Sequence, residues 1–248
     1  MSAPAALSEQ DRSALAGRLV VVTGATRGIG EAVALLLASC GAHVVAVGRK
    51  VPALEALDDR IRTAGGEAPT LVPLDLTDGP GIDRLGASVF ERWGRLDAFV
   101  GNAGVLGRIA PLAHIPAPVW QETLDVNLSA NWRLIRTLDP VLRQSDAGRV
   151  VFVTSGAAQK LRTNWGAYSV SKAALEALAV TYAKEVEMTP VRVALYNPGP
   201  VATAMRAAAA PGEDPTTLPT PADVAPEIVA ACAPGMAPPP GEVARLGR

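Results

Sequence analysis

The sequence is poor in cysteine and histidine. Its 248 residues include two cysteines, Cys40 and Cys232, and two histidines, His43 and His114. There is no Cys-x-x-Cys pair and no His/Cys cluster, which argues against a disulfide framework and against a metal site. We therefore predict two free thiols in a reducing compartment and two structural or surface histidines.

Excess charge of one sign and a membrane-spanning run are also lacking. The formal net charge is -1, and without a basic stripe no nucleic-acid partner is expected. Residues 1–10 lack the basic start and apolar run of a signal peptide. Gly41 and His43 interrupt the most apolar stretch, residues 32–47, where the periodicity changes from helical to strand-like. We predict a helix followed by a buried strand, and a cytoplasmic protein without a membrane partner.

Short apolar runs rich in β-branched residues alternate with longer helical patterns. The strand-like runs lie at residues 19–22, 43–47, 70–74, 96–100, 150–153 and 191–196. Nearly continuous hydrophobicity is typical of parallel strands covered on both faces by helices. Pro73 cannot donate a ladder hydrogen bond, so the third strand is expected at a sheet edge. The pattern predicts one α/β domain, a Rossmann-type doubly wound parallel sheet with helices on both faces.

Three segments fall outside this alternation within the single domain, residues 1–248. Residues 1–16 are interpreted as an N-terminal extension. Residues 199–222 are predicted to be a mobile substrate loop, because residues 207–222 are rich in Ala, Pro, Thr and acidic residues. Residues 236–248, which contain three consecutive prolines, are predicted to be an irregular tail.

A glycine-rich turn follows the first strand-like run. Residues 23–30, TGATRGIG, have the spacing Gly-x-x-x-Gly-x-Gly and open a helical pattern. Glycines let the backbone turn sharply and approach a pyrophosphate, whose charge is favoured at a helix N-terminus. A tight turn without a ligand is the alternative, but the strand–turn–helix context favours dinucleotide binding.

The end of the second strand bears on cofactor choice. A site that prefers NAD usually places an Asp or Glu there to hold the ribose 2′-hydroxyl. Gly48 occupies this region and Arg49 and Lys50 follow it, so no carboxylate repels a 2′-phosphate. Arg49, with Arg27 from the glycine turn, can pair with that phosphate. We predict a preference for NADP(H), with NAD(H) as the alternative cofactor and solvated loop charges as the alternative role of these side chains.

Tyr168 and Lys172 lie four residues apart in a helical pattern and share one helix face. A tyrosine with its ordinary pKa of about 10 is a poor base at neutral pH. A nearby ammonium lowers that pKa, which permits proton transfer at a carbinol or carbonyl oxygen. Ser155 follows the strand-like run 150–153, where side chains border the ligand crevice of a parallel sheet. Asn127 lies inside a helical pattern, where Asn is mildly unfavourable, and either a function or a surface position explains it.

These motifs, in this order, resemble the classical short-chain dehydrogenase/reductase family over residues 17–205, and more narrowly its bacterial YciK-like oxidoreductase subgroup. The resemblance implies a catalytic tetrad of Asn127, Ser155, Tyr168 and Lys172. It implies that Tyr168 exchanges a proton with the substrate oxygen and that Ser155 hydrogen-bonds the same oxygen. Lys172 is implied to lower the tyrosine pKa and to hold the nicotinamide ribose. Asn127 is implied to fix a backbone distortion that seats a water of a proton relay.

The resemblance also implies a set of cofactor residues. Asp75 matches an aspartate that caps the adenine ring, and residues 197–199 with Thr203 match a segment that holds the nicotinamide amide. Gly101 replaces the first Asn of the family's Asn-Asn-Ala-Gly, a change that can loosen a hydrogen bond that stabilises the sheet. The predicted cofactor residues are Gly24, Thr26, Arg27, Gly28, Ile29, Gly30, Arg49, Asp75, Leu76, Asn102, Ala103, Gly104, Tyr168, Lys172, Pro198, Gly199, Val201 and Thr203.

Loops that follow the strand ends are expected to wall the substrate pocket. Arg108, Arg162 and Arg206 can bind an acidic substrate group, although solvated loop arginines are an equal alternative. By analogy with the family, the helices that carry Asn127 and Tyr168 are expected to form a homodimer or homotetramer interface. The family's usual C-terminal ending is absent. The predicted substrate residues are Leu106, Arg108, Gln159, Trp165 and Met205.

The sequence thus predicts an NADP(H)-dependent oxidoreductase acting on CH–OH or C=O groups. Hydride would pass reversibly between the nicotinamide and a small-molecule carbonyl or alcohol, with Tyr168 as general acid/base. Two alternatives stay open. A non-catalytic dinucleotide-sensing protein would keep the fold but typically lose the Tyr–Lys pair. An epimerase or dehydratase on the same scaffold would consume no net NADPH.

Overall fold

A computed structural model of the chain describes residues 7–247. Within them, seven parallel strands form one sheet in the order β3-β2-β1-β4-β5-β6-β7. The chain builds outward from β1 to one edge, returns beside β1 and then builds outward to the other edge, which confirms the doubly wound prediction. The strands are β1 (Leu19–Thr23), β2 (His43–Gly48), β3 (Thr70–Pro73), β4 (Ala98–Gly101), β5 (Arg149–Val153), β6 (Arg192–Asn197) and β7 (Val243–Gly247).

Helices cover both faces of the sheet. One apolar core contains Val20 and Val22 of β1, and the other contains Leu19 and Val21, because successive strand side chains point to opposite faces. Both faces are therefore buried, as the continuous apolar runs predicted. The helices are α1 (Glu9–Leu15), α2 (Gly28–Ser39), α3 (Val51–Thr63), α4 (Gly79–Trp93), α5 (Ala117–Leu124), α6 (Ala130–Leu142), α7 (Ala157–Lys160), α8 (Gly166–Glu185), α9 (Ala204–Ala209) and α10 (Pro221–Cys232).

Glycine and proline mark the boundaries of several elements. Gly41 follows the end of α2 with φ of 78°, and Gly65 follows α3 with φ of 83°, a region that glycine enters at little cost. Pro52 occupies the first turn of α3. Pro73 ends β3, and β3 is an edge strand of the sheet. This confirms the prediction, which followed from the missing backbone N–H of proline.

The C-terminal segment differs from its prediction. The expected irregular tail is wrong for residues 243–247, which form β7 and pair with β6 from Val193 beside Val243 to Asn197 beside Gly247. This strand contains Arg245 and is only partly buried, so it lacks the continuous apolar run that marks the central strands. Its partner, the free edge of β6, decides its conformation.

The other two segments contain regular structure as well. In the N-terminal extension, α1 places Leu15 fully inside the core, whereas residues 1–6 lie outside the described residues. Residues 199–222 include α9, a 3₁₀ turn at Pro215–Thr217 and the start of α10. The mobility of this segment stays a prediction. No helix within residues 7–247 is both long enough and apolar enough to span a membrane.

Candidate active site

Asn102, which follows β4, holds the glycine turn in place through side-chain hydrogen bonds. Its side-chain amide donates to the carbonyl oxygens of Thr23 at 2.9 Å and Gly24 at 3.3 Å. Gly24 itself adopts a φ of 65°. A Cβ at Gly30 would overlap both the Gly24 carbonyl oxygen and the Asn102 amide. Gly30 is therefore required for close packing below the turn, and it does not line the cleft itself.

We expect Gly30→Ala to lower the free energy of unfolding by about 1–3 kcal/mol, because the added methyl forces backbone apart in a packed turn. NADPH affinity should fall with it. Urea unfolding and NADPH fluorescence titration measure the two effects. Gly212→Ala is the matched control, since a Cβ there meets nothing within 4 Å. Equal stability of the two variants would contradict the packing argument.

A cleft of about 760 Å³ opens along the carboxyl ends of the strands. This is where ligands bind in doubly wound sheets. It brings together most of the predicted residues, and Asn127, Gly30, Gln159 and Arg108 are the predicted ones outside its lining. The predicted residues that line it are Gly24, Thr26, Arg27, Gly28, Ile29, Arg49, Asp75, Leu76, Asn102, Ala103, Gly104, Leu106, Ser155, Trp165, Tyr168, Lys172, Pro198, Gly199, Val201, Thr203 and Met205.

Tyr168 and Ser155 meet in this cleft. The Ser155 side chain lies close enough to the Tyr168 side chain to influence its pKa, and Tyr168 is 8% exposed. Burial raises the pKa of Tyr168, and the nearby Ser155 hydroxyl offsets this only in part. In the protein alone the net shift is therefore upward, because desolvation of the phenolate outweighs the other contributions, and the lowering of this pKa by Lys172 stays a prediction. Tyr168 keeps its proton at neutral pH, which suits a proton donor.

Lys172 lies one helical turn beyond Tyr168, at the floor of the cleft. Its ammonium donates to the Val153 carbonyl oxygen at 2.8 Å and lies 5.9 Å from the centre of the Tyr168 ring. Burial disfavours the charged form and lowers the pKa of Lys172 to about 8. A Cβ at Gly104 would lie 3.7 Å from the ammonium and 3.3 Å from Asn127 Oδ1. The loop after β4, helix α8 and the turn that carries Asn127 therefore lie close together at Gly104.

Asn127 is fully buried, so the surface alternative is wrong. It lies in a π-helical turn, Asp125–Ser129, between α5 and α6. Its Oδ1 accepts from the Val105 amide at 2.8 Å, and its Nδ2 donates to the Val105 carbonyl oxygen at 3.0 Å and to Ser171 Oγ at 2.9 Å. Asn127 therefore joins the loop after β4 to helix α8. Single-turn π distortions often occur at functional sites, and the water relay stays a prediction.

Sequence reasoning missed Asn131, one turn further along. This buried side chain donates to the Asn127 carbonyl oxygen at 2.9 Å. A Cβ at Gly101 would come within 2.6 Å of Asn131 Oδ1, so glycine at 101 leaves the space that Asn131 fills. The departure of Gly101 from the family pattern was the available signal.

Asn197 and Glu176 were also missed as supports of the catalytic loops. Asn197 Oδ1 accepts from the amides of Gly156 at 3.0 Å and Gly199 at 3.1 Å, which ties the loop after β5 to the loop after β6. Glu176, four residues beyond Lys172 on α8, accepts from Thr154 Oγ1 at 2.8 Å and pairs with Arg245 of β7. The C-terminal strand is therefore linked to the residue before Ser155.

The far end of the cleft fits the adenosine half of a dinucleotide. Arg27, Arg49 and Lys50 line it. A Cβ at Gly48 would lie 2.7 Å from Thr26 Cγ2, so this position has little room for a carboxylate side chain. Asp75 accepts from the Thr77 amide and hydroxyl, and the bond to the amide is the main cause that holds its pKa below the ordinary value. The residues present fit a phosphate-bearing cofactor.

The predicted substrate residues do not all lie in the same cavity. Leu106, Trp165 and Met205 line the main cleft, whereas Arg108 lines a neighbouring cavity of about 420 Å³. Gln159 lines neither cavity, because the turn of α7 leaves it exposed and places the next residue at the cleft. Arg206 lines the cleft but forms a two-pronged ion pair with Glu213 at 2.5 and 2.6 Å. Its charge is already neutralised within the loop.

Comparison with known proteins decides the family. The family model described as short chain dehydrogenase matches residues 18–214. The chain belongs to the short-chain dehydrogenase family. Proteins of this family are oxidoreductases that bind a nicotinamide dinucleotide.

Individual relatives agree with the family assignment over most of the chain. The uncharacterized oxidoreductase YciK of Escherichia coli K12 is 39% identical over 211 residues, which are 84% of this chain and 83% of the relative. A structure of a putative short chain dehydrogenase from Pseudomonas syringae has a TM-score of 0.91 at 38% identity, covering 96% of this chain and 97% of that one. One from Escherichia coli CFT073, complexed with NADPH, has a TM-score of 0.90 at 36% identity, covering 94% and 98%. These likenesses confirm the predicted family, its YciK-like subgroup and the Rossmann-type fold.

Proposed function

We propose that this short-chain dehydrogenase is an NADP(H)-dependent oxidoreductase that interconverts a carbonyl compound and its alcohol, with Tyr168 as the general acid/base. The observation that carries the proposal is that the Ser155 and Tyr168 side chains meet inside the cleft, with the Lys172 ammonium 5.9 Å from the centre of the Tyr168 ring. The pair offers two hydroxyl groups to one substrate oxygen. A protein that only sensed dinucleotides would have no use for this arrangement.

The chain's own residues would divide the work as follows. Bound NADPH supplies the hydride. Tyr168 donates its hydroxyl proton to the carbonyl oxygen, and its raised pKa keeps that proton available at neutral pH. Ser155 donates a hydrogen bond to the same oxygen and stabilises the charge that develops there. The Lys172 ammonium lies 5.9 Å from the Tyr168 ring centre and would stabilise the phenolate that forms when Tyr168 gives up its proton.

Turnover is tested by NADPH oxidation, followed at its absorbance band, against ketones, aldehydes, quinones and 3-oxoacyl thioesters. The proposal expects at least one class to be reduced. A retained cofactor with substrate conversion but no net NADPH oxidation would instead indicate an epimerase or dehydratase. Tight NADPH binding without any conversion would indicate a sensing role.

The preference for NADP(H) is supported by the basic side chains after β2 and by the NADPH in the related Escherichia coli CFT073 structure. Arg49→Gln is expected to raise the Kd for NADPH about tenfold, because a charge-assisted hydrogen bond to the 2′-phosphate is lost. The Kd for NADH should change less than twofold. Fluorescence titration with both cofactors measures this.

Arg62→Gln is the control for Arg49, since Arg62 lies on α3 in an ion pair with Asp58 and outside the cleft. It should leave both dissociation constants unchanged. Tighter binding of NADH than NADPH by the wild-type protein would defeat the cofactor proposal.

Assembly and location stay predictions. Trp132 on α6 and Val170 on α8 are 49% and 42% exposed, on the helices that the family resemblance implicates in a homodimer or homotetramer. A cytoplasmic location remains the expectation from the sequence.

A further inference from the structure

The substrate end of the cleft has an uneven charge. Among the described residues that line the cleft, the carboxylates are Glu31 and Asp75, and both lie with the glycine turn and β3 at the adenosine end. Lys160, Arg162 and Arg206 line the end that holds Ser155 and Tyr168. Arg206 is neutralised by Glu213. Apart from Lys172, which is buried beside Tyr168, the positive charge at this end therefore comes from Lys160 and Arg162.

Lys160 lies over the residue next to the catalytic serine. The turn of α7 bonds the Lys160 amide to the Gly156 carbonyl oxygen at 3.0 Å, and the side chain folds back across Gly156. Its ammonium would be 3.9 Å from a Cβ placed on Gly156. The Lys160 side chain therefore lies beside Gly156 at the wall of the cleft. In the described part of the chain, neither Lys160 nor Arg162 has a carboxylate partner.

Cofactor phosphates do not account for these two cations. The phosphate-binding residues follow β1 and β2, whereas Lys160 and Arg162 follow β5, and β4 lies between β1 and β5 in the sheet. Neighbouring strands are about 4.8 Å apart, so the loop after β5 is roughly 10 Å from the glycine turn. Lys160 and Arg162, both exposed, therefore lie on the side of the cleft that carries Ser155 and Tyr168.

We propose that Lys160 and Arg162 form an anion-binding subsite, and that the physiological substrate is a carbonyl compound or alcohol that carries a carboxylate or phosphate group. The inference rests on the proposed function and narrows its substrate class. Unpaired cations in a cleft raise the local concentration of anionic substrates and favour charge-assisted hydrogen bonds. An anionic group on the substrate would supply the counter-charge that residues 7–247 do not provide.

The test compares 4-carboxybenzaldehyde with methyl 4-formylbenzoate in NADPH oxidation assays. The two probes share a ring and a carbonyl and differ in charge. Lys160→Met and Arg162→Met are each expected to lower kcat/KM for the acid about tenfold, with less than a twofold change for the ester. Since each variant is judged by its acid-to-ester ratio relative to wild type, the differing electrophilicity of the two aldehydes cancels. Higher ionic strength should lower the ratio in the wild type.

Two further variants sharpen the interpretation. Lys184→Met removes an exposed cation on α8 outside the cleft and should leave the ratio unchanged. Lys160→Arg should restore most of the wild-type ratio, because it keeps the charge. A ratio that stays at the wild-type value in the Lys160→Met, Arg162→Met double variant would overturn the subsite.

Failure of the proposed function has a different signature. If neither these aldehydes nor any member of the carbonyl panel is reduced, the oxidoreductase proposal fails, and the binary NADPH complex still reports on the subsite through quenching of cofactor fluorescence. Tighter binding of the acid than of the ester, lost in the double variant, would support the subsite. Equal binding of both probes would refute it.

Discussion

Tyr168→Phe is expected to lower kcat for carbonyl reduction by roughly 10²–10⁴-fold, the range that a positioned general acid contributes. The substitution removes one oxygen atom and leaves the ring against Trp165, whose ring centre is 6.0 Å away. Ser155 remains at the cleft, where its hydroxyl oxygen still accepts from the Ala157 amide at 3.2 Å. NADPH affinity should therefore stay within a few fold of wild type, so that the loss falls on kcat.

Tyr182→Phe is the matched control for Tyr168→Phe. Tyr182 lies on the same helix, is also buried, and donates to Asp139 Oδ1 at 2.8 Å away from the cleft. Loss of this hydrogen bond should lower the free energy of unfolding by about 1 kcal/mol and leave kcat near the wild-type value. Steady-state kinetics and urea unfolding separate the two results. Near-wild-type turnover by the Tyr168→Phe protein would refute the assignment of the acid.

Lys172→Met is expected to lower kcat/KM for NADPH by roughly 100-fold, because it removes the buried cation near Tyr168 and leaves a side chain of similar length.

Below pH about 8 the wild-type ammonium predominates, and above it the neutral amine does, since the pKa of Lys172 is lowered to about 8. Wild-type kcat/KM for NADPH, which reports ionisations of the free enzyme, should fall above that pH. The variant should lack this alkaline limb.

Titration of Lys172 should raise the stability of the folded protein as the pH rises, whereas it lowers kcat/KM. In the unfolded chain the lysine stays charged up to its ordinary pKa of about 10.4. Between that value and about 8 the unfolded chain binds more protons than the folded one, so wild-type stability rises with pH through this window. Lys172→Met removes the buried charge, and at pH 7 it should be as stable as wild type or more stable. Thermal unfolding at pH 7 and pH 10 checks this, and a strongly destabilised variant would contradict it.

Local pattern was sufficient for the framework of the fold. Apolar runs covered on both faces predicted six of the strands, and Pro73 predicted the edge. Glycine spacing before a helix predicted the cofactor turn, because backbone approach and helix N-termini depend on neighbouring residues. β7 was missed because its pairing depends on the β6 edge, which lies some fifty residues earlier in the chain.

The sequence by itself determined which chemical groups are available: a glycine turn, a Tyr–Lys pair one helical turn apart, a serine at a strand end, and no carboxylate after β2. Tertiary structure alone decided their state. It buried Tyr168 and so raised its pKa, placed Asn127 in a π-helical turn, and paired Arg206 with Glu213, whereas Lys160 and Arg162 line the cleft without a carboxylate partner among residues 7–247. The reason is physical. Spacing along a chain sets which groups share a face, but desolvation and charge pairing depend on which distant segments pack around each group.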